Sequence, residues 1–293
     1  MRIAGRFPWL TAERLVDVFV AANLGFLAVD VFVAHAANAF ASRVEWVPVG
    51  FSIIAPLLLL PSLFRESLPL GRALAFLVGA ASILVGGAGM VLHLESAFFE
   101  RQTIAHLVYT APFVAPLSYV GLGLLVMLNK MERAGSVSWA GWVLFLAFGG
   151  FVGNLGLSLL DHAQNGFFSA AEWTPVVAAA FGVSFLFVSL FSRAPQMLRS
   201  CAWVMALEVL VGVLGFALHV RADLQATAVH LRDRFLFGAP AFAPLLFADL
   251  AVLAFIGLWA SRLDPELGAQ TNQSAAMPET RPTATSTRVS PHG

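Results

Sequence analysis

A single cysteine, Cys201, is all that 293 residues supply. That excludes an intrachain disulfide and any metal site made of several thiolates. Charge is scarce too: 12% of residues are charged, the net charge is zero and the pI is 7.1. Such a balance leaves no footprint for nucleic acid. What fills the chain is apolar. At 59% hydrophobic residues and a mean hydropathy of +0.81, it exceeds the roughly 45–50% usual in soluble domains. It reads as an all-α integral membrane protein whose first partner is the lipid bilayer.

Eight apolar runs approach the ~20 helical residues that cross a bilayer: 15–34, 47–64, 73–92, 107–128, 139–160, 175–191, 201–218 and 239–259. Helices follow because every backbone group must be bonded within lipid. Prolines 56, 61, 112, 116, 240 and 244 predict kinks in the second, fourth and eighth helices. The Gly86–Gly89 and Gly149–Gly153 clusters predict close packing through small residues. Residues 264–293 turn to Pro, Thr, Ser and Gln, which predicts a disordered tail holding His292.

One stretch occurs twice. HAANAFASRVEWVPV, from His35, reappears as HAQNGFFSAAEWTPV, from His162, with nine of fifteen positions identical and a spacing of 127. Gly89 and His93 have echoes in Gly215 and His219, and the 111–117 run APFVAPL in the 239–245 run APAFAPL. His106 and His230 form a looser fourth pair, 124 apart. The chain is expected to be a tandem duplication of a four-helix unit: residues 1–134, residues 135–263, then the cytoplasmic tail 264–293. The segment after the first run resembles a signal-peptide cleavage region, but its mid-chain copy argues for a retained anchor.

Arginine and lysine set the orientation. Twelve of them, including Arg14, Arg72, Lys130, Arg133, Arg193 and Arg199, fall on one side, and Arg43, Arg101, Arg221, Arg232 and Arg234 on the other. The positive-inside rule then puts both termini in the cytoplasm of a bacterial inner membrane and the repeated motifs on the periplasmic face.

On that topology His35, Glu45, His93 and His106 reach one membrane face, and His162, Glu172, His219 and His230 the equivalent corners. Three imidazoles and a carboxylate would suffice for a transition metal, copper preferred, zinc or iron as alternatives. Trp46 and Trp173 suit the lipid–water interface, Pro48 and Pro175 the first turns of their helices, and Asn38, Asn165, Ser42 and Ser169 helix caps. Inside the runs lie Asp17, Asp30, Glu208 and Asp249, acids with no cation in their own runs. Asp30, Glu208 and Asp249 are the expected proton or ion path of a permease built from parallel repeats, with Glu208 and Asp249 sharing its centre. A b-type haem is a further alternative, although no helix carries the required paired histidine spacing. A structural subunit among other membrane subunits is another.

Two stretches resemble the C subunit of the copper membrane monooxygenases, the methane- and ammonia-oxidising family. His93-x12-His106, followed by Tyr109 and a proline-containing fourth helix, is similar to its copper motif. Asn154-Leu155-Gly156-Leu157-x4-His162 is similar to a second family stretch. The resemblance covers roughly residues 89–176 and implies His93 and His106 as copper ligands. Gly89 stands where the family has an aspartate.

Overall fold

The computed structural model describes residues 11–64 and 69–261. The expected tail, His292, and Arg2, Arg6, Arg65, Arg262, Arg281 and Arg288 lie outside them. Among the described residues all regular structure is helical: α1 Ala12–Ala36, α2 Trp46–Phe64, α3 Pro69–Glu95, α4 Ile104–Tyr109, α5 Leu117–Met131, α6 Val137–Gln164, α7 Trp173–Phe191, α8 Pro195–Gln225, α9 Leu231–Leu236 and α10 Leu245–Ser261. Single 3-10 turns, Arg43–Glu45 and Ala170–Glu172, lead into α2 and α7.

Six helices, α1, α2, α3, α6, α7 and α8, are long and apolar enough to cross a membrane. Their outward faces expose Leu57, Leu84, Trp203 and Leu210. Helices apolar on both faces belong in lipid. The runs 107–128 and 239–259 behave otherwise. Proline lacks an N–H, and the residue before it avoids the helical region, so each Ala-Pro run stays out of the helix. α5 and α10 begin only after Pro116 and Pro244 and span 15 and 17 residues. Pro112, Pro116, Pro240 and Pro244 therefore kink no helix, whereas Pro56 and Pro61 do lie inside α2.

The long helices form two sets. α1 packs on α2, α2 on α3, α3 on α5 and α5 on α1; α6, α7, α8 and α10 pair in the same order. The sets meet where α5 touches α6 and α10 touches α1. Close approach in each set is set by glycine against proline. A Cβ on Gly86 would stand 2.6 Å from the Pro116 carbonyl oxygen, and one on Gly212 would stand 2.9 Å from that of Pro244. Gly89 and Gly215 meet the rings of the same two prolines. Gly86 and Gly89 of the first cluster pack against an Ala-Pro run, whereas in the second cluster Gly150 packs on Leu250 of α10, and Gly87 and Gly149 face open space.

At the end away from the histidines, a polar network ties the first set together. Lys130, the chain's only lysine, donates to Asp17 at 2.6 Å and to Glu13 at 2.7 Å. Asn129 donates to Asp17 at 2.8 Å and accepts from Trp139 Nε1 at 3.0 Å. Asp17 thus has its cation after all, on α5. In the second set Leu144, 127 residues on from Asp17, packs against Gly257 of α10. Removing one partner of a buried ion pair strands the other, so Lys130→Met should destabilise the chain by about 3–5 kcal/mol. The midpoint of thermal unfolding in detergent measures it, and adding Asp17→Asn should restore part of the loss. An unchanged midpoint for Lys130→Met would remove the network from the fold's supports.

Candidate functional site

Each copy of the repeated stretch makes a corner. α1 ends at Ala36, Asn38 Oδ1 accepts the Phe40 N–H at 3.2 Å, and the chain reverses through Ala39 (φ 57°) and Phe40 (φ 53°). Such an Asx turn adds a side-chain acceptor to the bond that Phe40 N also makes to the His35 carbonyl at 3.1 Å. The turn lays Phe40 flat on Trp46, centroids 4.0 Å apart at 14°. Ser42 Oγ accepts from Val44 N, and Glu45 Oε1 accepts from Ser42 N at 3.2 Å, a capping box. Glu45 Oε2 is left 3.3 Å from His35 Nδ1.

The second corner repeats the turn, the stack and the cap, without the bond from the serine N–H to the glutamate. Asn165 Oδ1 accepts from Phe167 N at 3.2 Å, Gly166 and Phe167 take φ 73° and 51°, and Phe167 stacks on Trp173 at 4.1 Å and 12°. Ser169 Oγ accepts from Ala171 N. Glu172 Oε2 lies 3.3 Å from His162 Nδ1. Ser42 and Ser169 are thus caps, as expected, whereas Asn38 and Asn165 serve the turns before them instead. Pro48 and Pro175 lie in the first turns of α2 and α7.

The other two histidines are held by the Ala-Pro runs. His93 Nδ1 bonds the Pro112 carbonyl at 2.9 Å, and His219 Nδ1 that of Pro240 at 3.0 Å. Beside them, Ser96 Oγ takes the Ala111 N–H at 2.8 Å, and Asp223 Oδ1 the Ala239 N–H at 2.7 Å. A carbonyl oxygen can only accept, so Nδ1 carries the hydrogen and, in the neutral ring, Nε2 keeps its lone pair. His35 and His93 come together, ring centroids 6.1 Å apart at 74°.

The remaining expectations fare differently. His106, inside α4, pairs its Nδ1 with Thr103 Oγ1 at 2.8 Å, while His230 is the N-cap of α9. α4 and α9 match at a spacing of 127, which aligns His230 with Thr103 and His106 with Asp233. The 124-residue pair is therefore no structural pair. Among the described residues no group of three or more His, Cys, Asp or Glu side chains is placed to hold one metal ion. Glu45 stands behind His35 at Nδ1 and so positions the ring.

Glu208 and Asp249 have separate surroundings. Glu208 Oε1 lies against Gly182 of α7, whereas Asp249 accepts from Asn23 Nδ2 of α1 at 2.9 Å. Asp30 makes no hydrogen bond or ion pair among the described residues. Sequence reasoning passed over Asn23, Asp161 and Asp223, and gave Asn154 no role of its own. Asp161 lines a small cleft with Thr110, Pro112 and Gln164 between the two sets, and Gln164 bridges them by donating to the Val108 carbonyl at 2.8 Å. Its adjacency to His162 was the only signal available.

The corners differ at one strained place. Ala39 holds a left-handed conformation where the second copy has Gly166, and nothing would crowd a Cβ at Gly166. A non-glycine residue pays about 1–2 kcal/mol there. Ala39→Gly should therefore raise stability by about 1 kcal/mol and Gly166→Ala lower it by a similar amount, read as opposite shifts of the unfolding midpoint. Shifts of the same sign would contradict the turn geometry.

No family model, curated protein or solved structure matches the chain, so the resemblance to the monooxygenase C subunit rests on its two stretches alone.

Proposed function

We propose that the chain is a bacterial inner-membrane protein of eight spans, formed by tandem duplication of a four-helix unit, that takes up and hands on a transition-metal ion, copper preferred, at its periplasmic face. The nine identities at constant spacing support duplication, as do the matched corners and the matched order of helix pairing. α5, at 15 residues, covers about 22 Å, and the Ala-Pro segment before it supplies the rest of a crossing.

The observation that carries the metal reading is the setting of four imidazoles. His35, His93, His162 and His219 each turn Nδ1 to a carboxylate or a carbonyl. This is how proteins fix the tautomer and aim of a metal-binding ring, with Nε2 free. His35 and His93 would hold the ion in the first half, and His162 and His219 are the corresponding donors of the second. A bound ion would supply Lewis acidity or one-electron exchange. Two protein ligands leave positions open to a donor or acceptor of the ion, which favours handling over catalysis. Affinity in the order of divalent ions favours copper over zinc and iron.

Orientation is tested first. A reporter fused at Ser169 should be periplasmic and one at the C-terminus cytoplasmic; a cytoplasmic Ser169 ends the periplasmic proposal.

Metal content tests the rest. Protein reconstituted with copper, zinc and iron should retain copper, and should release it on acidification, because imidazole binds metal only when neutral. His93→Ala should lose the first-half share and stay folded. His219→Ala should lose a separate share if the halves are independent, or the whole if one centre spans them. Full metal content in both variants, or none in the parent protein, refutes the reading and leaves the motif a device for packing helix corners.

A further inference from the structure

Near the middle of the second helix set, two buried polar atoms have no partner among the described residues. Glu208, on α8, is 1% exposed with Oε2 unbonded, and Asn154, on α6, is 2% exposed with Nδ2 unbonded. Room for the acid comes from α7. A Cβ on Gly182 would stand 3.2 Å from Glu208 Oε1 and 2.8 Å from Phe151 Cδ1. Phe151 and Asn154 are neighbours one turn apart on the buried face of α6.

The first set holds a different pair at the corresponding positions. Ser82 precedes Glu208 by 126 residues, the spacing of His93 and His219, and Ala55 precedes Gly182 by 127, the spacing of Glu45 and Glu172. Ser82 is fully buried and its Oγ also lacks a partner. The glycine stands where the long acid is, and the alanine where the short alcohol is. Glu208 is thus accommodated by a second change in the wall opposite.

Among the described residues no cation answers it. α7 has no titratable side chain. α10 brings only Asp249, bonded to Asn23, and α6 only Asp161 and His162, near its far end. On α8 itself Arg199 and Cys201 lie near one end and His219, Arg221 and Asp223 near the other. On α9, Arg232 pairs with Asp233 and Arg234 bonds the Ala228 and Leu224 carbonyls. A bare carboxylate in such an interior is strongly disfavoured, and the Phe151 ring beside it offers a metal cation no oxygen.

We infer that Glu208 is a proton-binding site peculiar to the second half. A proton from bulk water forms an O–H bond on Oε2 and leaves a neutral acid; on release the bonding pair stays on oxygen and the proton returns to water. This site is independent of the histidine corners and stands whether or not they bind metal.

Infrared spectra of the full chain in detergent provide the test. At about neutral pH the parent protein should show the carbonyl stretch of a protonated carboxylic acid that Glu208→Gln lacks, with sodium present or absent. Should Glu208→Gln fail to fold, Gly182→Ala, which crowds the same carboxyl, should shift that band. Coincident spectra for the parent and the variant that folds would overturn the inference. So would a band that sodium abolishes, which would make Glu208 a ligand of a metal cation instead.

Discussion

In lipid, apolar side chains gain little by leaving their surroundings for one another, so helices associate through what close contact alone provides. In this chain that contact is made by Gly86 and Gly89 on Pro116, and by Gly212 and Gly215 on Pro244. The setting of His93 and His219 hangs from it. The same Ala-Pro runs that present these prolines also present the Pro112 and Pro240 carbonyls, which fix His93 and His219. They also shorten α5 and α10 by keeping the first turn of each out of the helix. Packing, imidazole orientation and helix length are three consequences of one seven-residue run.

The repeated motif was legible in the sequence because its residues are chemically distinctive against an apolar background. Its use was not, since identity does not say which atom is engaged. Glu45 reads as a ligand by type, yet one oxygen caps a turn and the other backs His35. The Ala-Pro runs misled for a related reason: alanine and proline are as apolar as the helix that follows, so hydropathy carries no mark where the helix begins. Matching His106 to His230 failed because it aligned side chains, whereas α4 and α9 align by their caps, Thr103 and His230.

The charged residues show a different limit. Asp17 looked isolated because its cation lies on another helix, 113 residues away, and no pattern local to α1 reveals it. Asp249 is answered by Asn23 across 226 residues. Both contacts depend on which helices become neighbours, α1 with α5 and α1 with α10.

What separates the two halves is written in sets of residues. Asp17 with Lys130 and Asn129 stands at the end of the first half, and Leu144 against Gly257 at the end of the second. Asn23 bonds Asp249 between α1 and α10; by the spacings of 127 and 128 the matching places on α6 and α5 hold Gly150 and Gly121. Ser82 and Ala55 stand against Glu208 and Gly182. In each case a polar residue is present together with its partner or its space, because a buried polar group alone is disfavoured. Two of these sets, Asp17–Lys130 and Asn23–Asp249, are closed by hydrogen bonds and so hold helices together. Among these sets Glu208 is the carboxyl given room by a glycine and left with an oxygen unbonded among the described residues, which fits a group that exchanges a proton rather than one that braces the fold.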